Sequence, residues 1–263
     1  MQIGYAIPMY NPAIASLLPC GVWCEPRPIN YCDPWQSMSW NIGFTGSYVN
    51  HHPMVADLPE HKDIIRDFSI RTNASYIALN ICEIFELFST VGASDLFIDF
   101  PPQALNKPNS STNLPLEMST AYSLSFGGRA TAYRNNNFFL GFEAEFFRTS
   151  PSISSIGTTS VDQINYEYNE WQISGGGAYL ISFGGVDFVP YLGIHYGRSY
   201  LSSRERGVTD SAGDFLTFIT LRQLRHVGYS IGTTLIGCKK IQLTAEATFI
   251  SELAFTFNSS FRF

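Results

Sequence analysis

The chain has 263 residues and a formal net charge of −6, and it is 45% hydrophobic, 15% aromatic and only 14% charged. Soluble domains carry roughly 25% charged residues, and the acidic balance leaves no basic face for nucleic acid. No run of 18 or more apolar residues occurs, which excludes a helical membrane span, so the apolar content must be hidden in alternation.

Residues 1–36 contain Pro8, Pro12, Pro19, Pro26, Pro28 and Pro34 and read as an irregular Cys- and Pro-rich leader. Its opening lacks a positive n-region and a full apolar h-region. From Ser37 the period becomes two, with Met38, Trp40, Ile42 and Phe44 on one face and Ser39, Asn41, Gly43 and Thr45 on the other. After a polar loop over 51–63, a strand over 66–80 sets Phe68, Ile70, Ala74 and Tyr76 against Ser69, Arg71, Asn73 and Ser75. A tight connection at 82–84 leads to a strand over 85–100, then to a loop over 101–115 rich in Pro, Asn and Ser.

Tyr122, Leu124, Phe126, Ala130 and Ala132 next oppose Ser123, Ser125, Gly127, Arg129 and Thr131. Asn135-Asn-Asn137 supplies a turn, after which Phe138, Leu140, Phe142, Ala144 and Phe146 oppose Gly141, Glu143 and Glu145. Beyond a polar loop over 150–165, Trp171, Ile173 and Tyr179 oppose Gln172, Ser174, Gly176 and Ala178, up to a turn at Gly184-Gly185. A strand over 187–201 is less clean, because Leu192, Ile194 and Tyr196 share a face with Arg198. A last long loop over 202–214 precedes segments at 215–224, 227–237, 241–250 and 253–263. In the final one Leu253, Phe255, Phe257, Phe261 and Phe263 fall on one face, and Ala254, Thr256, Asn258, Ser260 and Arg262 on the other.

Strict alternation fits a soluble sandwich as well as a membrane barrel. The rhythm of the connections separates them: four long polar loops alternate with connections of a few residues, as in outer-membrane barrels with short periplasmic turns and long outer loops. The expected fold is all-β, a single antiparallel up-and-down transmembrane β-barrel over 37–263. Eleven candidate segments conflict with the even strand number of bacterial single-chain barrels. Either 215–237 is one bent strand, giving ten, or a further strand gives twelve.

Several segments resemble the chlamydial major outer membrane porin family. They are Ala78-Leu-Asn-Ile-Cys-Glu83 running into Phe88-Ser-Thr-Val-Gly-Ala93, Gly128-Arg-Ala-Thr-Ala132, Glu170-Trp-Gln172, Val189-Pro-Tyr-Leu-Gly193, Gly232-Thr-Thr234 and the closing Phe261-Arg-Phe263. Asn11-Pro-Ala13, Ser16-Leu-Leu18 and Cys32-Asp-Pro34 are similar to the family's mature N-terminal region. The resemblance implies a bacterial outer-membrane porin that lets small hydrophilic solutes and ions diffuse passively and contributes to envelope structure. It makes Met1–Ala6 the tail of a signal peptide, and places the four long loops, shorter here, at the family's surface-exposed variable segments. It also implies partners: outer-membrane lipid, a homo-oligomer or disulfide-linked envelope proteins. Trp35 stands where the family often has a Cys. The alternative is a structural or adhesive barrel with a blocked lumen.

On that reading, strand parity nominates Arg71, Arg129, Glu143, Glu145, Gln172, Glu246 and Arg262 as pore-lining. An Arg facing lipid at mid-membrane would cost roughly 2–4 kcal/mol. Opposed Arg and Glu would bias which solutes pass, or else pair and plug a narrow lumen. Trp40, Tyr48, Tyr122, Trp171, Tyr179 and Phe263 are candidates for interfacial aromatic girdles.

No catalytic group is expected. Glu143 and Glu145 on one strand do not flank a bond, and no Ser-His-Asp/Glu arrangement is visible. His51, His52, Asp57, Glu60 and His61 read as a solvated outer loop rather than a metal site. Of five cysteines, Cys20, Cys24 and Cys32 crowd near the start. No His or second close pair completes a zinc site, and in an oxidising compartment the three are disulfide candidates. Neither metal nor cofactor is implied.

Overall fold

A computed structural model describes residues 38–57, 62–65, 67–82, 84–100, 114–156, 159–203, 220–237 and 240–263. The leader, with Cys20, Cys24 and Cys32, lies outside these described residues. Sixteen strands run through them: β1 (Met38–His51), β2 (Met54–Asp57), β3 (Lys62–Ile65), β4 (Asp67–Ile81), β5 (Phe85–Phe100), β6 (Leu114–Met118), β7 (Ala121–Asn135) and β8 (Phe138–Thr149). There follow β9 (Ser152–Ile156), β10 (Thr159–Tyr179), β11 (Ile181–Phe183), β12 (Val186–Ser203), β13 (Thr220–Gln223), β14 (Val227–Gly237), β15 (Ile241–Phe249) and β16 (Leu253–Arg262).

Ten of these strands pair antiparallel in a ring. In order they are β1, β4, β5, β7, β8, β10, β12, β14, β15 and β16. The ring closes where β16 returns to β1, from Asn41↔Arg262 to Val49↔Ala254. Trp40 and Phe263 extend this seam by exchanging both backbone hydrogen bonds, each 3.1 Å. Closure leaves no sheet edge, the condition a bilayer imposes on a spanning sheet. The remaining strands are extensions of the ring. β13 and β14 both pair with β12, at Tyr200↔Arg222 and then Tyr196↔Val227. The described part of 215–237 is therefore one interrupted strand, which decides for ten over twelve.

Short connections gather at one end, together with Met38 and Phe263. Gly184 (φ 52°) and Gly185 (φ 106°) make a two-residue turn in which both residues occupy the left-handed region that hairpin turns require. At the other end the stems of the four long loops rise above the ring as β2, β3, β6, β9 and β13. One short connection, between β15 and β16, also lies there.

The barrel is inside-out. Trp40, Ile42, Phe44, Leu124, Phe142, Leu192, Ile231, Phe255 and Phe261 are exposed on the outer wall, while Asn41, Thr45, Thr90, Ser125, Thr234, Thr244 and Asn258 are buried within. From Trp40 to Tyr48 on β1, eight steps along a strand tilted near 40° climb roughly 20 Å, close to the roughly 25 Å apolar band of such barrels.

Inside, the contents change with height. An apolar layer at the loop end includes Val49, Met54, Phe68, Ile70, Leu96, Ile98, Phe147, Tyr168 and Leu201. A smaller one at the turn end holds Phe139, Ala178, Val189, Tyr191 and Ile236. A polar belt fills the middle. Ten strands enclose little more than the eight whose side chains fill the interior, and the packing here is close.

One expectation is overturned. Arg71 is exposed on the outer wall, and the face assigned to β4 was inverted: Phe68, Ile70, Ala74 and Tyr76 point inward. The apolar layer at the loop end claims Phe68 and Ile70 for the interior. At that height the outer wall meets the lipid head groups, where a charge costs little.

Candidate functional site: the polar interior

Arg129 on β7 sits at the centre of the belt and is 1% exposed. Its Nε lies 3.2 Å from Glu86 Oε1 and 3.7 Å from Glu143 Oε2, on the two flanking strands. Its Nη2 donates to the Tyr76 hydroxyl at 2.8 Å, and that hydroxyl donates to Glu86 Oε1 at 2.7 Å. Asn41 Nδ2 donates to the second Glu86 oxygen at 2.8 Å. The guanidinium carbon stands 4.8 Å from the Phe88 ring centroid, within cation–π range. Gly127 makes room for that ring, since a Cβ there would collide with it.

On β15, Glu246 accepts from the Tyr191 hydroxyl at 2.5 Å. Tyr191 is two strands away on β12 and reaches it by lying across Gly232, where any Cβ would overlap the ring. Gln172 on β10 stands beside Glu145 on β8, whose Oε2 accepts no hydrogen bond among the described residues. Arg262 Nε donates to Ser39 Oγ at 2.7 Å near the turn end. Hydroxyl pairs stitch the wall between charges: Thr72 with Ser94 at 2.7 Å, Thr90 with Ser125 at 2.7 Å, and Thr234 with Thr244 at 3.0 Å. Such pairs satisfy one another and still offer lone pairs inward.

A second polar group lies at the loop end. His52, on the connection between β1 and β2 and above the Tyr48 level, is buried rather than solvated. Its Nδ1 is 2.9 Å from Glu252 Oε2 and its Nε2 is 2.8 Å from Ser199 Oγ. The Tyr168 hydroxyl donates to Glu170 at 2.6 Å, and His195 Nε2 is 2.7 Å from Ser251 Oγ. Burial pulls the His52 pKa down, but hydrogen bonding to Glu252 and the charges of Glu252 and Glu170 outweigh it, holding it above 6.5.

The structure thus brings Arg129, Glu143, Glu145, Gln172, Glu246 and Arg262 inside the barrel and leaves Arg71 outside it. It adds Glu86, Tyr76, Tyr191, Glu170, Glu252 and His52. Glu86 and Tyr191 were legible by parity, because Phe85, Leu87 and Leu192 are outward. His52 was not, since nothing local distinguishes it from its loop. The buried acidic and basic side chains among the described residues are six glutamates, two arginines and two histidines, with four buried tyrosines beside them. Cys82, the one described cysteine, is disulfide-bonded and was not among the candidates for that role. Of the other loop residues considered for a metal site, Glu60 and His61 lie outside the described residues.

No family model matches the chain. It is 23% identical to a major outer membrane porin of Chlamydia pneumoniae over 371 aligned positions, covering 98% of this chain and 94% of the relative. A Chlamydia trachomatis serovar E porin (23%, 98% and 95%) and a Chlamydia psittaci porin (23%, 98% and 95%) match similarly. The alignments exceed this chain's length, so the relatives carry segments absent here. Among solved structures, the outer membrane protease OmpT of Escherichia coli superposes with a TM-score of 0.46 at 10% identity, covering 90% of this chain and all of that one. An outer membrane channel of Pseudomonas putida F1 gives 0.39 at 12% identity, covering 91% of this chain and all of that one. Neither likeness is close enough to carry an argument. The porin matches run the length of the barrel, and the chain is a divergent relative of the chlamydial major outer membrane porins.

Proposed function

We propose that the chain is a passive porin of the bacterial outer membrane, through which small hydrophilic solutes and ions diffuse without cofactor or energy input, and that it is not an enzyme. The observation that carries this reading is the partition of side chains. A ring of ten strands turns its apolar face to the outside and encloses a belt of hydroxyl, amide and charged groups, an arrangement that suits a polar passage through lipid. The porin relatives point the same way.

The residues assigned to the passage are Arg129, Glu143, Glu145, Gln172, Glu246 and Arg262, joined by Glu86. Arg129 with its two glutamates spans three neighbouring strands of the polar belt and is assigned the selection of ions and small solutes over large ones. Among the described residues the interior holds six carboxyl groups against two guanidiniums and two imidazoles, an acidic balance that favours cations. The apolar layer at the loop end acts as a hydrophobic constriction that must part or wet for transport. Cys20, Cys24 and Cys32 are assigned to links with a second copy or with other envelope proteins.

Purified, refolded protein in a planar bilayer tests the proposal. Stepwise conductance is expected, with a reversal potential in a KCl gradient displaced toward the potassium potential. Glu145→Gln with Glu246→Gln moves it toward zero. A folded barrel that never conducts refutes the porin reading.

A further inference from the structure

The wall is built differently on one side of the loop end. β15 and β16 are joined there by the short connection Ile250-Ser251-Glu252, so their two lanes stop while neighbouring strands climb on. The register shows what continues them. β14 pairs with β12 on one edge and with β15 on the other. β13 extends the lane of β14 along β12 and offers its far edge to β2, at Leu221↔Ala56 and Gln223↔Met54. β2 therefore lies in the lane of β15, and β3, paired with it from Met54↔Ile65 to Asp57↔Lys62, lies on the side of β16. One hairpin stands end-on above another. Strands that meet end-on share no ladder, so side chains must bind the joint. His52, just before β2, does so: its Nδ1 is 2.9 Å from Glu252 Oε2 in the connection beneath, and its Nε2 is 2.8 Å from Ser199 Oγ on β12. The hairpin in turn supplies Met54 and Ile65, both fully buried, to the apolar layer.

We propose that the β2–β3 hairpin is a movable section of the wall, latched by the ion pair of His52 with Glu252, and that it swings away when His52 loses its proton, drawing Met54 and Ile65 out of the apolar layer. The groups around the imidazole come from four elements. Glu252 faces it from the β15–β16 connection and Glu170 from β10, where the Tyr168 hydroxyl donates to Glu170 at 2.6 Å. His195 faces it from β12, its own Nε2 2.7 Å from Ser251 Oγ. β4 presents the Phe68 ring, its centroid 5.8 Å from that of the imidazole. A protonated His52 offsets the two carboxyl groups, whereas a neutral one leaves buried acids facing each other, an arrangement that favours separation and solvation. The imidazolium is held by the closed form, so closure is firmest at low pH and is lost as pH rises through the closed-form pKa of His52. Each unit by which closure raises that pKa changes the closed-to-open ratio about tenfold.

The proposal rests on the porin reading for its effect on transport, but the movement is read without it. Val55 and Tyr200 each pair with Arg222, from opposite sides, so their backbones stand about 10 Å apart across two strand spacings. Spin labels are attached through Val55→Cys and Tyr200→Cys in a background without the native cysteines, and their dipolar broadening is measured in vesicles. Broadening should be strong at about pH 5.5 and weaker at about pH 8.5, the interval in which histidine titrates. Adding His52→Gln, which keeps hydrogen-bonding capacity and loses the charge, should remove the difference and leave the weaker signal at both. Heat-dependent gel mobility confirms that each protein is folded at each pH. Identical broadening at the two pH values, or a pH response that persists in folded His52→Gln, would overturn the proposal. Should His52→Gln not fold, Glu252→Gln takes its place under the same criterion. Conductance of the protein with His52 intact is recorded separately. Where it conducts, open time should lengthen over the same interval, and open time indifferent to pH would also overturn the proposal. A moving hairpin on a barrel that never conducts refutes the porin reading alone.

Discussion

Replacing Arg129 by Met tests whether the central belt is a coupled ionic cluster or a set of independent side chains. The change keeps much of the volume over Phe88 but leaves Glu86 and Glu143, 3.2 and 3.7 Å from the lost Nε, facing a buried site without their cation. Removing one partner of a buried pair costs about 3–5 kcal/mol. Glu86 keeps Asn41 and Tyr76 as donors, so the lower end, about 3 kcal/mol, is expected. Glu86→Gln alone strands Arg129 less severely, because Glu143 remains. The double variant removes both charges, and its loss should fall short of the sum of the single losses by about 1–3 kcal/mol. Urea unfolding in phospholipid vesicles, followed by tryptophan fluorescence and gel mobility, measures all four corners of the cycle. Additivity within about 0.5 kcal/mol would show the cluster to be uncoupled and refute the reasoning.

The His52–Glu252 pair should make stability depend on pH. A folded-state pKa above 6.5 means that the contribution is complete below that value and is lost as pH rises through the higher folded-state pKa. His52→Gln should abolish that part of the unfolding profile, and identical profiles for parent and variant would count against the pair. Phe68→Ala opens the apolar layer at the loop end, at a cost of about 3–5 kcal/mol for a large buried side chain. Single-channel recording should show longer or larger openings, and unchanged openings in a folded variant would remove the layer from the passage.

Much of the barrel was legible because a closed sheet in lipid repeats one rule at every strand. Leu253 to Phe263 alternates without interruption, and the structure places each residue of that run on the face the period assigns. The rule failed on β4, where Phe68 and Ile70 belong to an interior that is itself apolar. Polarity then no longer distinguishes inside from outside, and Arg71 was misassigned with the whole face. His52 escaped notice for a different reason. Its partners Glu252 and Ser199 are 200 and 147 residues away, and no local pattern reports a contact made by folding alone. The count of ten strands lay between two readings until the shared pairing of β13 and β14 with β12 decided it.

The most direct test of the account is a spin-label scan of β16. Single cysteines in a background lacking the native ones, each labelled in turn from 253 to 263, are exposed to oxygen and to a water-soluble relaxant in vesicles. Labels at 253, 255, 257 and 261 should be relaxed by oxygen from the lipid, and those at 254, 256, 258, 260 and 262 should be shielded from it, a period of two along the whole strand. Uniform relaxation by the aqueous reagent, or alternation of the opposite phase, would contradict a closed barrel with its greasy face to the bilayer.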